Sequence, residues 1–223
     1  MVLVLWDVDG TLVDTAGHGR HAFEDAFQTV IGRHPGRIEM AGRTDHQIAL
    51  AMLGGRPDRL PAVLGRLAEG LADRREAIRR DGRPYPGAPE ALQALHGRDG
   101  VVQSLLTGNI ESNAALKVSA FGLEGWLDFE VGAYGSDPHE SRSDLVAVAR
   151  ERAAAKYREP TGVVLIGDTP LDVQAAREAG ARAVAVATGF GRLEELRASE
   201  PDALLADLRD TAELVSVVLN PST

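Results

Sequence analysis

The stretch MVLVLWDVDGT, residues 1–11, decides how this chain is read. Its first six residues form a continuous apolar run, the pattern of a parallel strand covered on both faces. The run ends at Asp7, and a second carboxylate follows two residues later at Asp9. Residues two apart in an extended segment point to the same side, so both carboxylates are expected to face one way. Gly10 then lets the chain turn away.

Outward from this segment, short apolar runs recur at residues 101–106 (VVQSLL), 163–166 (VVLI) and 183–186 (AVAV), with a weaker one at 129–131. Helical patterns lie between them. In residues 142–157, Leu145, Val148, Ala149 and Ala153 fall on one helical face. Gly180 is placed to stop a helix running from about Pro170 to Ala179. Strands alternating with helices predict an α/β fold with a Rossmann-like parallel sheet and right-handed crossovers. Residues 15–83 read differently. Apolar positions there recur at helical spacing (Ala22, Phe23, Ala26, Phe27, Val30; later Val63, Leu64, Leu67, Leu71) with no convincing strand. The division expected is a sheet domain of residues 1–14 and 84–223, with residues 15–83 as an inserted helical domain.

Composition narrows the function. At 223 residues with 44% hydrophobic and 26% charged side chains, the chain can bury a full core. There is no cysteine, so disulfides and thiolate metal sites are excluded. A formal charge of −9 argues against nucleic acid or anionic membranes as partners. No apolar run reaches the ~18 residues of a membrane span, and the apolar start is too short for a signal peptide. A cytoplasmic protein, monomer or homodimer, is expected. Only Lys117 and Lys156 are lysines in an Arg-, Ala- and Gly-rich chain, which suggests a GC-rich bacterial genome. The six histidines show no ligand spacing and are read as ordinary surface or core residues.

Ligands bind beyond the carboxyl ends of strands in an open parallel sheet. Besides Asp7 and Asp9, that edge is expected to gather Thr107-Gly108-Asn109, the segment from Tyr134 to Arg142, and Gly167 to Asp172. Up to four carboxylates then meet: Asp7, Asp9, Asp168 and Asp172. Two unit charges 4 Å apart repel by about 4 kcal/mol at an effective dielectric near 20, so a proton or a cation must intervene. Hard oxygen donors without cysteine point to Mg²⁺, and a carboxylate site holding Mg²⁺ suits phosphoryl groups. Each segment also has a plainer reading. TGN serves as a turn, and GDTPLD serves as a capped helix start with Asp168 or Thr169 as N-cap and Pro170 at the first helical position. Those readings leave the co-occurrence unexplained.

DVDGT (residues 7–11), LLTGN (105–109) and IGDTPLD (166–172) resemble, in order, the motifs of the haloacid dehalogenase (HAD) superfamily, phosphoglycolate phosphatase-like members above all. The resemblance implies that Asp7 is the nucleophile. Asp9 would protonate the leaving alkoxide and later activate water. Asp7, the Asp9 backbone carbonyl and Asp168 would ligate the metal, with Asp172 supporting them. Thr107 would donate to the phosphoryl group, with Gly108 and Asn109 beside it; Gly10 and Thr11 complete the substrate side. Asp at position 9 favours phosphoester hydrolysis over dehalogenation, whose enzymes resemble DxYGT. The helical insertion resembles a C1-type cap closing over the site. There, Gly42-Arg43-Thr44-Asp45 resembles a substrate-contacting segment, with Arg43 facing a carboxylate or second phosphate, while Thr44 is equally a natural N-cap.

One departure stands out. The superfamily's third motif supplies a Lys after the third strand, and residues 134–145 contain none. Arg142 is the candidate replacement, able to pair bidentately with phosphate or nucleophile, or else an exposed helix-start Arg. Lys117 is a rival cation, ranked lower because it sits mid-helix. The expected activity is Mg²⁺-dependent hydrolysis of a small phosphorylated substrate through an aspartyl-phosphate. The alternatives are a sugar phosphomutase of the same superfamily, or a catalytically silent binding protein.

Overall fold

The computed structural model describes residues 1–219 apart from Ile38, Gly55 and Glu140. In chain order the elements are β1 (Val2–Trp6), β2 (Val13–Asp14), α1 (His18–Ile31), α2 (Asp45–Met52), α3 (Leu60–Asp73), α4 (Arg75–Asp81), β3 (Arg83–Pro84), α5 (Ala88–Leu95), β4 (Val101–Thr107), α6 (Glu111–Ser119), β5 (Ala133–Tyr134), α7 (Arg142–Lys156), β6 (Gly162–Gly167), α8 (Pro170–Glu178), β7 (Arg182–Val186), α9 (Leu193–Ala198), β8 (Ala203–Leu205) and α10 (Thr211–Leu219). Six strands form one parallel sheet in the order β5-β4-β1-β6-β7-β8.

The apolar start becomes a central strand because both of its faces are covered. Val4 and Trp6 pack into the layer holding Leu92 of α5, Ala114 of α6 and Leu214 of α10. Leu3 and Leu5 pack on the other side with Leu145 and Ala149 of α7 and Val173 of α8. Fully burying one such side chain stabilises by about 1.5–3 kcal/mol, so the alternation along β1 fixes the register of both layers. Trp6 satisfies its indole by donating Nε1–H to Gln103 Oε1 at 3.1 Å. Trp6 lies between Leu105 and Ile166, and the Asp7 N–H donates to the Ile166 carbonyl at 2.9 Å.

A third apolar cluster lies in the insertion, where Phe23 and Phe27 of α1, Ile48 of α2 and Val63, Leu67 and Leu71 of α3 pack together. The chain leaves the sheet and returns to it through a two-stranded antiparallel ribbon, Val13 opposite Pro84 and Asp14 opposite Arg83. One sequence expectation needs correction. Residues 129–131 form a 3₁₀ turn, and the edge strand begins at Ala133, pairing with Leu106 and Thr107. The Asp128 carboxylate accepts the Glu130 N–H at 3.1 Å and bends the chain there. No helix among the described residues is long and apolar enough to cross a membrane.

Candidate active site

The floor of the site is made by three aspartates. Asp7 follows β1, Asp168 follows β6, and Asp172 stands in the first turn of α8. Each offers a carboxylate oxygen within 4.8 Å of the other two. Glycines permit this approach. A Cβ on Gly10, whose φ is +89°, would lie 2.3 Å from Asp168 Oδ2, and one on Gly167 would lie 2.3 Å from Asp172 Cγ. Asp168 is held by the Phe190 N–H, 2.6 Å from Oδ2, and by the Thr11 hydroxyl, 3.4 Å from Oδ1. Asp172 Oδ2 accepts from the Thr169 N–H at 3.0 Å and its hydroxyl at 2.7 Å, the capping box that starts α8. The helix-cap reading of GDTPLD and its site reading therefore describe the two oxygens of one carboxylate.

The other oxygen, Asp172 Oδ1, is buried and has no hydrogen-bond partner. Its neighbour is Arg142, the first residue of α7. Arg142 Nη2 lies 2.5 Å from Asp172 Oδ1 and 3.0 Å from Asp7 Oδ1. These are charge contacts without hydrogen-bond alignment, since Nη2 and Nε of Arg142 are likewise unpartnered. Burial pushes the Asp7 carboxyl up; Arg142 pulls it down, and Asp172 and Asp9 raise it again. Asp168 is raised too, by burial first and then by Asp7 and Asp172. A cluster that resists ionisation, made of hard oxygens with one left without a hydrogen bond, has the donor set of a divalent cation site.

The opposite wall comes from β4 and α6. Asp9 does not join the three-carboxylate cluster. Its Oδ2 accepts from Asn109 Nδ2 at 2.7 Å, and both its oxygens accept from Lys117 Nζ, at 2.8 and 2.6 Å. Lys117 also donates to Asn109 Oδ1 at 2.6 Å, and Asn109 Nδ2 to Thr107 Oγ1 at 2.8 Å. Asp9 thus leaves only its backbone carbonyl for the ligand role expected of it. The sequence reading ranks Lys117 low, yet its side chain is almost wholly buried against Asp9. Arg142 and Lys117 answer separate carboxylates. The signal that could have found Lys117 is its place on the buried face of α6, beside Asn113, Ala114 and Val118.

The insertion covers this wall. Thr44 caps α2, accepting the Gln47 N–H at 3.2 Å. The next residue, Asp45, donates its N–H to the Gly108 carbonyl at 2.7 Å and accepts the Ile110 N–H on Oδ2 at 2.9 Å. Gly108 is needed here, because a Cβ would lie 2.4 Å from the Arg43 carbonyl. Burial raises the Asp45 carboxyl to about 6, with Lys117 opposing. Between floor and insertion lies a cavity of about 720 Å³ that reaches Asp7, Thr107 and Arg142 below and Phe23, Arg43 and Leu67 above. Arg43 is exposed at its rim.

Known proteins resemble this chain along most of its length. The family model described as haloacid dehalogenase-like hydrolase matches residues 1–180. A phosphoglycolate phosphatase of Synechococcus elongatus is 30% identical over 229 residues, covering 98% of this chain and 99% of its own. A 5'-nucleotidase of Pseudomonas aeruginosa is 27% identical over 214 residues, covering 92% of this chain and 91% of its own. Among solved structures, a hydrolase from Pseudomonas syringae superposes with a TM-score of 0.70 at 19% identity, covering 99% of this chain and all of that one (100%).

Proposed function

The chain belongs to the haloacid dehalogenase-like hydrolases, and from that premise we propose that it is a Mg²⁺-dependent phosphatase that acts on a small phosphorylated metabolite through an aspartyl-phosphate on Asp7. Relatives that carry the names phosphoglycolate phosphatase and 5'-nucleotidase support phosphoric monoester hydrolysis as the reaction class. One observation carries the reading. Asp7, after the first strand, and Asp168 and Asp172, some 160 residues further on in the sequence, converge within 4.8 Å, and a buried oxygen of Asp172 makes no hydrogen bond and meets only the Arg142 guanidinium.

Asp7 Oδ attacks phosphorus as the bond to the alcohol oxygen breaks in line, and the Asp9 carboxylic acid gives its proton to that oxygen. Water then attacks the phosphorus and passes a proton to the Asp9 carboxylate, while the Asp7–phosphorus bond breaks and phosphate departs. Mg²⁺ held by Asp7, Asp168 and the Asp9 carbonyl, with Asp172 behind them, would supply the charge that offsets the phosphoryl oxygens. Arg142 stands where the family lysine is missing and adds a fixed cation beside Asp7. Thr107, Gly108, Asn109 and Gly10 line the cavity where the phosphoryl group would lie, while Thr11, expected from the sequence to join them, is buried and donates to Asp168 instead. Residues 15–83 act as a C1-type cap on a core of residues 1–14 and 84–223, with Arg43 at the cavity rim meeting a second anionic group of the substrate.

The test is phosphate release from p-nitrophenyl phosphate with and without MgCl₂, in the wild type and in Asp7→Asn. The expected result is Mg²⁺-dependent turnover that vanishes in the variant. Turnover that survives Asp7→Asn removes the covalent route.

A further inference from the structure

The motifs that define the site leave Lys117 unassigned, although no other ammonium in the chain is as deeply buried among the described residues. An ammonium is strongly hydrated and leaves water only when its three protons are satisfied. Here all three have acceptors: Asp9 Oδ1, Asp9 Oδ2 and Asn109 Oδ1. Asn109 closes the ring through its own amide, which donates to Asp9 Oδ2 and to Thr107 Oγ1. Four side chains, from the loop after β1, the end of β4 and the turn beyond it, and α6, therefore fix one another.

Asp9 needs such support. Its side chain is 30% exposed and stands beside the negative floor of the site. Left to itself, that carboxylate is repelled by Asp7 and free to swing toward solvent. With both oxygens drawn to one side, its plane is set. Lys117 is in turn shut in by the insertion. A Cβ on Gly19 of α1 would lie 3.6 Å from Nζ, and Asp45 of α2 faces it closely enough to feel its charge.

We infer that Lys117 is a positioning residue, which holds the Asp9 carboxyl in the orientation from which it exchanges a proton with the substrate's leaving oxygen. The inference rests on the acid role of Asp9 proposed above. In this role Lys117 contacts the Asp9 carboxyl and not the phosphorus or the leaving oxygen, and it acts on the substrate only through Asp9. Its effect should therefore follow the need for a proton at the leaving oxygen, which is large for an alkyl phosphate and small for p-nitrophenyl phosphate, whose phenolate leaves unprotonated.

The experiment measures kcat/KM, which reports phosphoryl transfer to Asp7, for an alkyl phosphate and for p-nitrophenyl phosphate in Lys117→Met, Asp9→Asn and the double variant. General acid catalysis contributes about 10²–10⁴-fold, so Lys117→Met should lose about 100-fold on the alkyl ester and under about tenfold on the aryl ester. Asp9→Asn should show the same selectivity. The double variant should fall no more than about threefold below Asp9→Asn alone, as for two residues acting as a unit. Lys117→Gln, which keeps an amide donor, should show the same selectivity at smaller size, and it carries the test if Lys117→Met does not melt cooperatively. Equal losses on both esters, or losses that multiply in the double variant, would overturn the inference. If Asp9→Asn is itself indifferent to the leaving group, the acid role of Asp9 fails first and the inference falls with it.

Discussion

Replacing Arg142 by alanine removes the guanidinium that touches both Asp7 and Asp172. At separations of 3.0 and 2.5 Å, each contact amounts to about 5–7 kcal/mol of attraction at an effective dielectric of 20. Burial of the guanidinium offsets much of that. Removing one partner of a buried ion pair costs about 3–5 kcal/mol in measured cases, because the remaining charge is left uncompensated. For a chain of this size each kcal/mol moves the melting temperature by about 2–4 °C, so Arg142→Ala should melt about 6–20 °C below the wild type in EDTA. Saturating MgCl₂ should recover part of the loss, and should raise the melting temperature of the variant more than that of the wild type. Turnover on p-nitrophenyl phosphate should fall at least about tenfold, or about 1.4 kcal/mol of barrier. Differential scanning calorimetry with and without MgCl₂, followed by steady-state kinetics, makes the comparison. A variant that melts with the wild type, gains nothing extra from MgCl₂ and turns over normally would refute the placement of Arg142 in the site's charge balance.

Gly189→Ala would place a methyl 2.1 Å from Asp168 Oδ2 and 2.5 Å from Gly10 Cα, so Asp168 must shift. Mg²⁺ affinity by calorimetric titration should weaken about 10–100-fold, and unchanged affinity would show that Asp168 is not a ligand. Asp45 carries its carboxyl at about 6 against the ordinary 3.8. The folded state therefore binds this proton more tightly than the unfolded state, and Asp45 costs stability as pH rises from about 4 to 6, by about 3 kcal/mol in full. Asp45→Asn removes that penalty and still offers an oxygen to the Ile110 N–H. Urea denaturation should find the variant gaining stability relative to wild type between pH 4 and pH 7, and a constant difference across that range would discard the assignment.

The sheet was legible because its central strands are long apolar runs with carboxylates, TGN or GDT at their ends. Residues buried on both faces leave no other pattern. The edges were not. β5 and β8 are two and three residues long, too short to show a period, and Phe129–Val131 has strand-like residues that the Asp128 cap turns into a 3₁₀ bend. In the site, the floor could be read from motif spacing. The wall could not, because it depends on side-chain direction. Lys117 reads as an ordinary helix cation until its face is known, and Asp45 follows a capping box that already accounts for its neighbourhood. In an Arg-rich chain, a lone lysine on the apolar stripe of α6 was the clue.

The ribbon of β2 and β3 has a consequence for how such a chain can change. Paired strands bring their Cα atoms to about 5 Å, so the helical insertion begins and ends at a single seam, Asp14 beside Arg83. Any module whose two ends meet at that spacing can be spliced there while the sheet beneath keeps its register. On the cap reading proposed above, substrate preference and hydrolytic chemistry would be carried on separate stretches of sequence. A recombinant that exchanged residues 15–82 for those of a relative should inherit the donor's selectivity if the new stretch restores the bonds that Asp45 makes to Gly108 and Ile110.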